Sequence, residues 1–240
     1  MNRTEIEDRL WTSRERMIAT LGLAADWWPN TTAQGNDACT PFAMSFFIDF
    51  ALDRCVGQKL TLAANSGERL DPRQRTIEAL WNNAAREHST NEVLVDFSVH
   101  NWDAASPIQL TGESEMHPYH GVGDSLTTAD DYSWDFYKLL VVPSATRLFC
   151  ARVGRSAGRG ATDRINDLLS TLQGLIDLYG PALLRPNDEL GGVLLPSRRS
   201  LAPETRVFWL DRGRLRAERV MGLGQGVDPD APEENVAAEP

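Results

Sequence analysis

The spacing of apolar positions along the chain changes period near residue 90. Between Thr4 and Leu23, Ile6, Leu10, Met17 and Leu21 recur at helical spacing among charged residues, which predicts an amphipathic helix. A polar stretch from Pro29 to Thr40 follows. The run from Pro41 to Cys55 is then apolar on all sides and predicts a buried helix. Asn65 to Pro72 is rich in turn formers. Asp71-Pro72 supplies a helix start, with proline at the first helical position, and this helix is expected to reach about Arg86 with Glu78 in its middle.

From Glu92 to His100 the chain reads E-V-L-V-D-F-S-V-H, an alternation that predicts a strand. Val93, Val95, Phe97 and Val99 are expected on one face and Asp96 on the other. Residues 107–115 predict a second strand, with Ile108 and Leu110 on one face and Gln109, Thr111, Glu113 and Glu115 on the opposite one. The short link from Asn101 to Ser106 suits an antiparallel hairpin. After a Gly- and His-containing loop, a helix is expected from about Ala129 to Val142, stopping before Pro143. Thr146 to Val153 predicts a third strand, and residues 154–160 a basic loop. Arg164 to Tyr179 predicts a strong amphipathic helix ended by Gly180-Pro181. Val207 to Val220 reads as a hairpin turning at Asp211-Arg212-Gly213. The pattern predicts an α/β (α+β) chain with a mixed sheet. Its expected parts are an N-terminal helical extension (1–66), a core with a C-terminal hairpin (67–222) and an acidic, disordered tail (223–240).

Composition narrows the function classes. The chain of 240 residues is 42% hydrophobic and 24% charged, ordinary for a globular protein. No apolar run is long enough to span a bilayer, and no secretion signal opens the chain, so a cytoplasmic location without membrane contact is expected. Cys39, Cys55 and Cys150 are odd in number and widely spaced, as reduced thiols are. The net charge of -10 argues against strong nonspecific nucleic-acid binding. That charge is uneven, because the tail from Gln225 to Pro240 carries five acids and no cation, while residues 145–165 hold five arginines against one aspartate.

Among 22 arginines the chain retains only two lysines, Lys59 and Lys138. An ammonium is a compact charge with a tunable pKa and does not substitute for a guanidinium. Lys138 follows the acidic strand end Glu113-Ser114-Glu115. Phosphodiester hydrolysis needs carboxylates converging on a divalent cation and a cation to receive developing charge. If Asp96 pairs with Glu113 across the hairpin, their β-carbons lie about 5 Å apart. Glu115, two residues on, shares the face.

An aspartate on one strand followed by Glu-x-Glu on its hairpin partner resembles the PD-(D/E)xK nuclease superfamily, whose best-known members are restriction endonucleases. The order helix, strand hairpin, helix, strand is similar to that family's αβββαβ core. Gly112-Glu113-Ser114-Glu115 followed by Asp135-Phe136-Tyr137-Lys138-Leu139-Leu140 resembles a bacterial branch in which the lysine has moved to the following helix. The resemblance covers roughly residues 71–155. It implies Asp96, Glu113 and Glu115 as the residues holding Mg²⁺ or Mn²⁺, Lys138 as the catalytic cation and Glu78 as an accessory acid. It also implies a nucleic-acid substrate, DNA ahead of RNA; Arg147 and, in the basic 154–160 loop, Arg155 and Arg159 are the expected contacts to it. Val95 stands before Asp96, where the family pattern has proline.

Two other readings remain open. A noncatalytic nuclease-fold subunit would instead engage a protein partner or a second copy of this chain. A zinc hydrolase would use His117 and His120, which lie i,i+3 in a loop without the helical frame of the common zinc motif. Without any chemical role, Glu113 and Glu115 read as the solvent face of an edge strand, and Asp135 with Lys138 as an ordinary i,i+3 helix pair.

Overall fold

A mixed sheet of eight strands runs through the middle of the molecule in the order β2-β1-β3-β4-β5-β6-β7-β8. The computed structural model describes residues 1–29, 39–54, 61–64, 87–89, 95–101, 104–105, 107–116, 127–153, 161–196 and 203–221. The expected helix with Glu78, the loop bearing His117 and His120, the loop with Arg155 and Arg159, and the acidic tail lie outside these residues. No helix among the described residues is long and apolar enough to cross a membrane.

The chain enters through α1 (Arg3–Leu21), capped by the Asn2 side chain on Glu5 N and closed by Gly22 at φ 63°. α2 (Cys39–Arg54) is buried almost all round, because it packs against both α1 and the sheet. β1 (Thr61–Ala64) and β2 (Glu87–Ser89) form the outer edge of the sheet. β3 (Phe97–His100) then pairs antiparallel with β4 (Ile108–Glu115). α3 (Thr127–Val141) crosses to β5 (Thr146–Val153), and α4 (Ala161–Leu183) crosses to β6 (Glu189–Pro196), so β4, β5 and β6 are parallel. The antiparallel strands β7 (Arg206–Asp211) and β8 (Arg214–Arg219) finish the sheet.

Two apolar cores flank the sheet. On one face, Phe42, Phe46, Phe47 and Phe50 of α2 pack on Phe97, Val99, Leu110, Leu148 and Cys150. On the other, Phe136, Leu139 and Leu140 of α3 and Ile165, Leu172 and Ile176 of α4 pack on Phe149, Ala151 and Leu194. Strand alternation explains the split, since neighbouring residues point to opposite faces. Each fully buried Phe contributes on the order of 2–3 kcal/mol.

Several expectations change. The N-terminal helices are not an appendage, for α1 and α2 make one of the two helical layers. Val95 does not share a face with Phe97 and Val99; a bend at Asp96 sends it into the α3 core. Gly180-Pro181 does not end α4 at Tyr179, and the helix continues to Leu183. So close to the helix end the proline removes only its own N–H bond, and Leu184 N still donates to Gly180 O at 2.8 Å. β6 was not anticipated. Its run Leu190-Gly191-Gly192-Val193-Leu194-Leu195 is apolar without alternation, as a central strand covered on both faces should be.

Candidate active site on β4 and α3

β4 presents a polar stripe to the α3 layer. Ser98 of β3 lies opposite Thr111 in the antiparallel register, and continuing that register by one residue beyond Phe97–Gly112 sets Asp96 against Glu113. Ser98, His100, Thr111 and Glu113 are all buried where the core of a sandwich would ordinarily be aliphatic. Ser98 Oγ lies 2.8 Å from His100 Nε2, and Thr111 Oγ1 lies 2.8 Å from Ser144 Oγ, so each of these four atoms is hydrogen-bonded.

Glu113 differs. It is fully buried, and neither carboxylate oxygen has a hydrogen-bond partner of good geometry among the described residues. Lys138 Nζ lies 2.8 Å from Oε1 as an ion-pair contact. Asp135, one helical turn before Lys138, holds the same ammonium at 3.0 Å. The Asp96 carboxylate accepts from both the backbone N and the hydroxyl of Ser114, each at 2.9 Å. These bonds fasten it beside the residue that follows Glu113.

The electrostatics follow from this layout. Burial, reinforced by the negative charge of Asp96, lifts the Glu113 carboxyl to about 8 despite the opposing pull of Lys138. Burial also works against the Lys138 ammonium, but its contacts with Glu113 and Asp135 more than offset that and raise its pKa. Asp135 retains the ammonium in either protonation state of Glu113.

The scaffold behind the site is tight. α2 lies so close to β4 that a β-carbon added at Gly112 would come within 2.6 Å of the Phe47 ring. Only glycine permits this approach, which fixes the strand carrying Glu113. On the other side Phe136 meets Phe149 edge-on at 5.4 Å, and the Tyr132 hydroxyl donates to Arg152 O at 2.6 Å, locking α3 over the sheet.

Three expected site residues therefore come together: Asp96, Glu113 and Lys138. Glu115 shares the face of Glu113 but lies about 7 Å further along the strand. Among the described residues no three His, Cys, Asp or Glu side chains are grouped to hold one ion. Arg147, expected at a nucleic-acid surface, is instead buried. Its guanidinium donates to Leu139 O at 2.7 Å, to Asp188 Oδ2 at 2.8 Å and to Val142 O at 3.4 Å, clamping the end of α3 onto β5. A strand arginine facing a helix C-terminus finds free carbonyls there, and this removes it from any role on substrate. Asp135 and Ser114 complete the site. The i,i+3 spacing exposes the pairing of Asp135 with Lys138, whereas nothing local to the sequence marks Ser114.

In comparisons with known proteins, no family model, no curated protein and no solved structure matches this chain.

Proposed function

We propose that this protein is a divalent-metal-dependent phosphodiesterase acting on nucleic acid, DNA ahead of RNA, with a restriction-endonuclease-like core. The observation that carries the reading is Glu113. It is a fully buried carboxylate beside Asp96 on the neighbouring chain segment, and its ion-pair contact with Lys138 reaches one oxygen only and leaves the other without a donor among the described residues. A buried carboxylate left short of donors is costly to a purely structural core, and a cation bound from outside would offset that cost. The antiparallel run of β1, β3 and β4, followed by α3 and parallel β5 with helices on both faces, supports the αβββαβ resemblance.

The donor set suits a hard cation. Mg²⁺ is commonly bound through one or two carboxylates, with water and substrate phosphate completing its shell. Asp96 and Glu113 are the residues to hold Mg²⁺ or Mn²⁺, with Glu115 at the mouth of the strand. The ion supplies Lewis-acid polarisation of the phosphodiester and a more acidic water. Lys138, held by Asp135, stabilises negative charge developing on the phosphoryl oxygens. Ser114 orients Asp96. Burial under α3 keeps bulk water from screening these interactions.

The decisive experiment incubates plasmid, single-stranded DNA and RNA with the protein and Mg²⁺ or Mn²⁺, alongside Glu113→Gln and Lys138→Ala. Cleavage that requires metal and disappears in both variants is expected. A wild type that neither cleaves nor gains thermal stability from either ion overturns the reading. The noncatalytic scaffold, engaging a protein partner or a second copy of the chain, would then take its place. One observation favours that alternative: Lys138 is bracketed by two carboxylates, as the cation of a structural ion pair would be.

A further inference from the structure

At the edge of the sheet where β5 and β6 begin, the end of α4, the segment after it and the tip of the β7–β8 hairpin enclose a cleft of about 520 Å³. That volume lies in the range of small-molecule sites. Ile176, Leu184 and Leu210 give it an apolar wall, and Asp177, Asp188, Arg185 and Arg212 supply its charges. The acids are already engaged. Asp188 accepts from Arg147 at 2.8 Å and from Arg185 N at 3.1 Å, and Asp177 accepts from Gln173 at 2.8 Å with Arg214 at 3.5 Å. The guanidinium groups of Arg185 and Arg212 have no such partner among the described residues. The two acids and two arginines of the lining balance formally, but the acids are paired with Arg147 and Arg214, which leaves the solvent-exposed guanidinium groups of Arg185 and Arg212 open to an anion.

The hairpin tip adds a second argument. Arg212 stands at φ 50° in a two-residue turn with Gly213 at φ 78°. Such turns favour Asn, Asp or Gly at the first position, and an arginine there is strained. The tip is also fastened to α4, because Gln173 donates to Gly213 O at 3.2 Å and accepts from Leu215 N at 2.7 Å. Arg212 is thus held at the rim of a preformed cleft at some cost to the turn, the situation expected of a residue kept for a ligand.

We propose that this cleft binds a small molecule with one phosphate or carboxylate on an apolar body, the anion meeting Arg185 and Arg212 and the body lying on Leu184 and Leu210. Titration calorimetry of the full chain tests it with phenyl phosphate, benzoate, phenol and inorganic phosphate. Binding of phenyl phosphate, benzoate or both is expected, with phenol at least about tenfold weaker. Binding of one anion alone identifies the head group. Arg185→Ala and Arg212→Gly should each weaken binding about tenfold or more. Arg212→Gly should also raise Tm, because glycine relieves the turn, so its loss of affinity is not misfolding. Glu113→Gln should bind as wild type does, which separates this site from the proposed catalytic one. Silence of both anionic probes, equal binding of phenol, or unchanged affinity in the two arginine variants overturns the proposal.

Discussion

Each helical layer of this protein covers a buried carboxylate, and the two are treated differently. Asp49 in the α1–α2 layer accepts from the Ser13 hydroxyl at 2.5 Å and pairs with Arg16. Burial raises its pKa, and these partners pull it back. Glu113 in the α3 layer has an ion-pair contact with Lys138 but no well-formed hydrogen bond among the described residues. A buried acid supplied with donors on its own side of the fold works as a bolt. One left short of donors beside a second acid is ready to accept a group from outside.

The largest expected separation between the two is in activity. Glu113→Gln and Lys138→Ala should each reduce metal-dependent cleavage by about a hundredfold or more, whereas Asp49→Asn should leave kcat within about twofold and lower Tm. Initial rates and melting curves on the same preparations measure both. Equal losses of activity in all three variants would erase the distinction.

Stability should respond to Lys138 next. Lys138→Ala leaves Glu113 buried without its cation, at a cost of roughly 2–4 kcal/mol above pH 8. Below pH 7 the cost should be smaller, since Glu113 then takes up a proton. Urea unfolding at the two pH values checks this, and a pH-independent loss would mean that Glu113 is not the partner that matters.

A third effect concerns pH in the metal-free protein. The Glu113 pKa of about 8 in the folded chain lies above its ordinary 4.5, so the folded state keeps a proton that the unfolded state releases. Its stabilising contribution is complete below about 4.5 and is lost as pH rises towards 8. Glu113→Gln should flatten that decline, a change on the order of a few kcal/mol across the window. A wild-type stability that rises from pH 5 to 8 by as much as the variant's would contradict it.

The smallest effect tests the scaffold. Gly112→Ala should cost about 1–3 kcal/mol through its collision with Phe47, and should lower activity by displacing β4. A Phe47→Leu change in the same chain should recover part of both losses, which denaturant midpoints and rates would reveal together.

Much of this arrangement was legible in the residues. The apolar spacing located α1, α2, α3, β5 and the β7–β8 hairpin close to their observed bounds, because amphipathic period and burial are directly coupled. The 107–115 alternation set Thr111, Glu113 and Glu115 on one face, and the scarcity of lysine singled out Lys138. β6 escaped because a strand covered on both faces carries no alternation to read. β1 and β2 are too short for a periodic signal. Arg147 was misplaced because an arginine between apolar residues looks the same whether it reaches solvent or the carbonyls of a helix end.

The sequence by itself determined which face of each amphipathic element is apolar, which strand carries the acids and which helix carries the lysine, since these depend on residues a few positions apart. Only the tertiary structure decided that α3 would lay Lys138 on Glu113, that Asp96 would be tied to Ser114, and that α1 and α2 would close the other side of the sheet. Those outcomes turn on the register of β3 against β4 and on the close approach of Phe47 to Gly112. Contacts between distant segments are selected by the packing of the whole core, and no local pattern records them.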